Sequence, residues 1–294
     1  MRQMQSPLRG SLWVAIVALA CGCSSVTTGG NGGGSATGGG SATGGGSATG
    51  GGSATGGGSA TGGGSATGGG SGTGGGYGCS GAALPTTAPA SIAISGTVVS
   101  PGSGGGSTPL SGAKVEAFDH AGNSLGSTTT AMAGTFSLNV STGGAPVDGY
   151  LKITANGQVD TYWYPSVPFA GDTAAGEIDS LSTTLLGLLG LIGLPSGTSL
   201  DSSKGQIFVG LADCDGASIM GDTVSSNPAA GKVDYVVGGT PNQSATSTDS
   251  SGQAVLLNVP AGDVTISAMG GGHSLRDHHV KSVANSVVET TLQP

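Results

Sequence analysis

Three histidines and an aspartate fall within seven residues, His273-Ser274-Leu275-Arg276-Asp277-His278-His279. That density of imidazole and carboxylate suits a metal ion. The spacing argues against one. Successive side chains of a strand point to opposite faces, so His278 and His279 cannot both reach the same ion. Gly270-Gly271-Gly272 just before them marks a loop. Asp213, Asp215 and Asp222 gather around an Asp-Cys-Asp-Gly turn, but a calcium loop needs further oxygens at fixed offsets, and none can be placed. The sequence holds no G-x-S-x-G nucleophile elbow and no H-E-x-x-H pair. No catalytic residue, metal ligand or cofactor is assigned, and the chain is not expected to be an enzyme.

Two other groups of residues have chemistry to offer. Tyr162-Trp163-Tyr164, followed by Pro165, Pro168 and Phe169, concentrates aromatic area in a chain with only 4% aromatic residues. Such rings anchor binding patches and stack on sugars. On a strand Tyr162 and Tyr164 share one face while Trp163 takes the other. The competing reading puts one of those faces into the core. Four cysteines stand at 21, 23, 79 and 214 with no C-x-x-C spacing, which gives no support to a zinc knuckle or a thioredoxin-like site. Cys79 and Cys214 are candidates for one disulfide if the chain is exported. Two free thiols, or a bond to a leader cysteine, are the alternatives.

The leader decides export. Arg2 and Arg9 precede the apolar run Ser11–Ala20, the layout of a secretory signal and too short for a bilayer, which takes about 20 apolar residues. Its end, Val-Ala-Leu-Ala-Cys-Gly-Cys, resembles the lipobox of bacterial lipoproteins. That resemblance implies cleavage within residues 1–23, a lipid on Cys21 or Cys23, and attachment to the membrane through that N-terminal lipid. Gly22 or Ser24, rather than Asp, follows the cysteine, which by the same resemblance implies the outer membrane.

Residues 24–80 are read as a tether. From Gly32 to Thr67 the hexapeptide Gly-Gly-Gly-Ser-Ala-Thr repeats six times, and a seventh copy with one Ala-to-Gly change ends at Thr73. Gly loses the most freedom on ordering, and nothing in the repeat is large enough to offset that by burial. A chain of this kind and length is expected to be disordered and to span roughly 35–40 Å on average. Collagen requires a period of three with proline, and a solenoid requires an apolar residue per repeat. The array has neither.

The full chain carries 8% charged residues and a net charge of −8, with no basic cluster in the mature part. Nucleic acid is therefore excluded as a partner. Residues 90–170 show short alternating runs with turn residues about every ten positions, the pattern of an all-β sandwich. Within them, Ile94-Ser95-Gly96-Thr97-Val98, a Gly/Ser loop, Pro109-Leu110-Ser111-Gly112-Ala113-Lys114-Val115, and Gly134 leading Phe136, Leu138 and Val140 resemble the carboxypeptidase regulatory-like domain. The resemblance implies a transthyretin-like (prealbumin-like) sandwich, here without the acidic residue usual before that glycine. Residues 171–203 are expected to connect, with Asp179 or Ser180 capping an apolar helix that stops at Pro195. Residues 204–294 repeat the theme in Gly252 to Ile266, so one or two tandem sandwiches are expected, or a single larger one. The expected role is binding or structural, as a non-enzymatic envelope lipoprotein whose partner is polysaccharide or an envelope protein. A starch-binding-like carbohydrate module is the alternative, and a hydrolase accessory or a hydrolase with an unrecognised site is the third reading.

Overall fold

Strict two-residue spacing buries every second side chain of Thr135–Ser141 (β5). Phe136, Leu138 and Val140 face inward while the Ser, Thr and Asn between them face water. This computed structural model describes residue 81 and residues 83–102, 106–194, 199–270 and 273–294. The leader, the repeat array, Cys21, Cys23 and Cys79 lie outside the described residues. β5 runs antiparallel to Ser91–Pro101 (β1), which also takes Ser107–Pro109 (β2) antiparallel and Thr173–Asp179 (β8) parallel. These four strands form the first sheet.

The second sheet has nine strands and passes through both halves of the chain. In order across it lie Thr240–Asn242 (β12), Lys232–Val237 (β11), Gln253–Pro260 (β13), Lys204–Leu211 (β9) and Val287–Leu292 (β17). Then follow Thr161–Tyr164 (β7), Gly149–Thr154 (β6), Lys114–Asp119 (β3) and Ser124–Thr129 (β4). A third sheet holds Thr223–Asn227 (β10), Gly262–Gly270 (β14), His273–Ser274 (β15) and His278–Ser282 (β16). The all-β class holds, and the two halves are fused. β17, the last strand, pairs parallel with β7 from the first half and with β9 from the second.

Because side chains alternate across a strand, the nine-stranded sheet has two sets of inward faces. One face presents Tyr150, Tyr162, Tyr164, Val288, Ile207, Val209 and Leu256 to Val224, Val264, Ile266 and Val280 of the third sheet. The opposite face packs on the first sheet through Val115, Leu151 and Ile153. Farther along, the same face packs on a helix, Thr183–Gly193 (α1), through Phe208, Val255, Leu257 and Val287. Covered on both faces, β9 and β13 read as nearly continuous apolar runs.

α1 begins two or three residues later than a cap at Ser180 or Asp179 would start it. Ser182 is the N-cap, and its side chain accepts the N–H of Leu185. Residue 179 instead ends β8, so the stretch expected to be a connector contains a strand of the first sheet as well as the helix. At the far end, Gln243 Nε2 donates to the carbonyls of Ile192 and Leu194, satisfying groups that a helix end leaves open. Gly193 lets Leu257 and Asp234 come close, since a Cβ there would stand 2.7 Å from the Leu257 side chain. The close approach expected of the helix glycines is thus observed at Gly193, and at Gly190 against Leu200, but not at Gly187.

Gly134 stands at φ +72°, and a Cβ on it would collide with the Val98 carbonyl oxygen. Gly112 has nearly the same backbone (φ +76°) with open space where a Cβ would go. The pair separates conformational strain from collision. Gly112→Ala is expected to cost about 1 kcal/mol. Gly134→Ala is expected to cost about 3 kcal/mol or more, because β1 would have to shift as well. Denaturant unfolding of the two variants measures this, and equal costs would show that the Val98 contact yields freely.

Candidate functional site

The histidine run lies on the third sheet, and β16 divides its two strand histidines between opposite faces as expected. His278 turns inward, with its ring edge-on to Tyr164 at 6.3 Å and Nδ1 paired with Thr290 Oγ1 at 2.6 Å. His279 is exposed, and its Nδ1 meets Thr265 Oγ1 at 3.1 Å. Burial, followed by the charges of His279 and His120, pushes His278 down to about 4, so the ring is neutral at physiological pH. His120, from the turn after β3, lies 3.8 Å from Asp148 and 4.0 Å from Asp263. Among the described residues no three His, Cys, Asp or Glu side chains gather as a metal centre. Asp213 serves its own turn, Oδ1 accepting the N–H groups of Asp215 and Ala217.

Beside the histidines opens a cleft of about 170 Å³. Its walls include Leu84, Pro165, Arg276, Asp277, His278 and Gln293. Gln293 ties three segments together here. Its backbone carbonyl accepts the N–H of Arg276, its Oε1 accepts the hydroxyl of Ser166, and its Nε2 donates to the Asp213 carbonyl. Ser166 therefore spends its hydroxyl on an amide, and His278 spends Nδ1 on a threonine. Those are the hydrogen bonds of a positioned wall. A nucleophile would instead be held by its base.

Leu84 brings the start of the fold to the same place. Residues 83–90 run in along the turn after β5, where the N–H of Ala88 donates to Gly144 and that of Thr142 to Ala90. The root of the chain and its last strand thus meet at one cleft. Gln293 carried no signal in the sequence, being one amide in a terminal Thr-Leu-Gln-Pro.

The aromatic triplet is not a surface patch. Tyr162 and Tyr164 are 8% and 2% exposed, because their face of β7 turns toward the third sheet. Tyr150 stacks on Tyr164 at 5.0 Å and leans on Tyr162 at 5.8 Å. The hydroxyl of Tyr164 accepts the N–H of Lys281, and burial drives that phenol far above its ordinary range. Trp163 takes the other face and packs with Phe169 at 6.4 Å in the first-half core. The rings of the triplet thus take the places that the competing core reading gives them. Cys214 is disulfide-bonded.

No protein-family model matches the sequence, and no curated protein matches it. Among solved structures the chain is similar to the Bacillus anthracis TIE protein, at 12% identity and TM-score 0.23, over 69% of this chain and 34% of that one. It is also similar to the shaft pilin spaA from Lactobacillus rhamnosus GG, at 11% identity and TM-score 0.22, over 69% and 98%. A minor pilin of Streptococcus agalactiae aligns at 13% identity and TM-score 0.22, over 69% and 94%. The chain spans about a third of the length of the first of these.

His278 gives the site a pH signature. The unfolded chain takes this proton near 6.5 and the folded chain near 4. Between those values unfolding takes up a proton, so stability falls as pH falls. Relative to His278→Asn, the parent is expected to lose on the order of 2 kcal/mol between pH 7 and pH 4. Denaturant melts of both proteins at the two values check it, and a constant gap would place His278 in water.

Proposed function

We propose that this chain is a non-enzymatic envelope lipoprotein. A lipid on Cys21 or Cys23 holds it to the outer membrane, the hexapeptide array acts as a leash, and the fused β-sandwich is the displayed body. The body serves as a binding or structural module for an envelope protein or polysaccharide. The observation that carries this reading is the meeting of the fold's first residues with its last strand at the Leu84–Gln293 cleft. Residues 83–90, the first described stretch of the body, lie along the turn after β5. The regulatory-like resemblance is supported by Gly96, Gly112 and Gly134, each at a turn or a close approach that suits glycine. No helix among the described residues is long and apolar enough to cross a membrane, so the proposed anchor is the lipid.

The same corner favours Cys79 as the partner of Cys214. Cys79 precedes Leu84 by five residues, which reach at most about 17 Å. Leu84 shares the cleft with Gln293, whose side chain donates to the carbonyl of Asp213, the residue before Cys214. A disulfide there would clip the root of the leash to the second half of the fold.

Mass spectrometry of the mature protein tests both parts. The expected N-terminal peptide begins at Cys21 or Cys23 and carries a diacylglyceryl group. A non-reducing digest is expected to join the peptides of Cys79 and Cys214. An N-terminus free of acyl chains would end the lipoprotein reading. A Cys214 joined to a leader cysteine would end the clip while leaving the anchor to be judged separately.

A further inference from the structure

Two acids are buried together where the first sheet, α1 and β17 meet. Asp179 closes β8 and is 3% exposed; Glu289 lies mid-way along β17 and is 7% exposed. The backbone N–H of Asp179 donates to the Glu289 carboxylate, which places the two side chains within one residue of each other. Asp179 Oδ1, Glu289 Oε1 and the neighbouring Ser180 Oγ are buried with no hydrogen-bond partner in the protein. Around them β1 contributes Val99, beside Asp179. β7 contributes Trp163 and β9 Phe208, the strand neighbours of Glu289. Thr161 turns its hydroxyl toward the Asp179 carbonyl. Glu177 of β8 is a third acid, and its charge bears on Asp179. α1 has no acidic residue in its first turn and no basic residue in its last.

Two buried carboxylates side by side, without a cation, cannot both ionise cheaply: each loses its hydration and each repels the other. A carboxyl keeping its proton is neutral, and its O–H is a donor that an orphaned carboxylate oxygen can accept. We infer that Asp179 and Glu289 hold one proton between them and form an acid-closed latch between the β1–β8 sheet and the C-terminal strand. Opening the latch sends that proton to solvent and leaves two like charges in an apolar junction. The loosened elements are the crossing at 179–182, which seats the helix, and β17, which joins the halves.

The direction of pH dependence follows. Burial first, then the charge of Glu177, raises Asp179 to about 7; burial first, then the charge of Asp179, raises Glu289 well above its ordinary range. Unfolded, both acids ionise near pH 4. The folded chain holds the extra proton from there up to about pH 7, so stability is full in acid and is lost as pH rises through the folded value. This is opposite in sign to the contribution of His278.

Thermal melts of the full mature chain between pH 5 and pH 8 test the latch, run beside Asp179→Asn with Glu289→Gln. The parent is expected to fall by about 5 °C relative to the double variant over that range. Parallel profiles would overturn the latch. Should the double variant not fold, carboxyl carbon NMR of the parent decides alone: one of the two groups keeps its proton above pH 6, and ionisation of both by pH 5 overturns the inference. Calcium added at pH 8 is expected to leave the parent's midpoint unchanged; a rise that the single variant Asp179→Asn abolishes would assign the junction to a cation instead.

Discussion

A strand with neighbours on both edges and cores on both faces has no water to turn to. Each N–H and carbonyl of β17 must find a partner in β7 or β9. Both pairings are parallel, and each joins segments far apart in sequence, so neither can be closed by a short turn. β17 follows β16 after only a few residues, which gives the third sheet a direct grip on the middle of the second. The continuity of the nine-stranded sheet thus depends on residues 287–292. Without them β7 and β9 would each present an open, apolar edge, the feature that soluble β proteins avoid.

From that insertion the distribution of cores follows. Val288 and Leu292 feed the core shared with the third sheet, while Val287 feeds the core under α1. A row of rings extends the first of these across the halves. Phe118 stacks on Tyr150 at 5.5 Å, Tyr150 on Tyr164, and Tyr164 meets His278 edge-on. Four elements, β3, β6, β7 and β16, are linked by that row, and it ends at the wall of the cleft. The cleft therefore rests on packing from both halves of the chain, with Gln293 as the polar tie between loops that the rings hold in place.

The sequence shows what is local. Phe136, Leu138 and Val140 announce β5 by spacing alone, and Gly134 announces the turn before it. The apolar run from Leu185 to Leu194 announces a buried helix. What stays hidden is long-range or ambiguous. Thr173–Asp179 has too few apolar residues to read as a strand, because its partner β1 and the parallel pairing supply what its own pattern lacks. Asp179 looks like a helix cap because Asp and Ser favour caps, yet Ser182 does that work. Alternation placed Tyr162 and Tyr164 on one face correctly; which face meets water depends on the third sheet, whose strands come a hundred residues later. Gln293 has no legible role, since one amide binds three loops only after those loops have been brought together. Glu289 did leave a trace, as a lone acid in Val-Val-Glu-Thr-Thr-Leu, an otherwise uncharged strand.

That lone acid is best understood beside another buried one. Asp234 is 0% exposed, and burial raises its pKa while Lys232, at 3.5 Å, pulls the other way. It lies close to Gly193 at the end of the helix, and Lys232 offsets part of its burial. Asp179 and Glu289 have no such cation, and replacing them with apolar residues of similar size would remove a cost that buried acids carry in any fold. Their position explains what the cost can accomplish. Asp179 belongs to the sheet beside which residues 83–90 run, and Glu289 to the strand that ends at the cleft. A charge-sensitive junction between those two elements would let the acidity of the surroundings set how firmly the first sheet holds to the centre of the nine-stranded sheet.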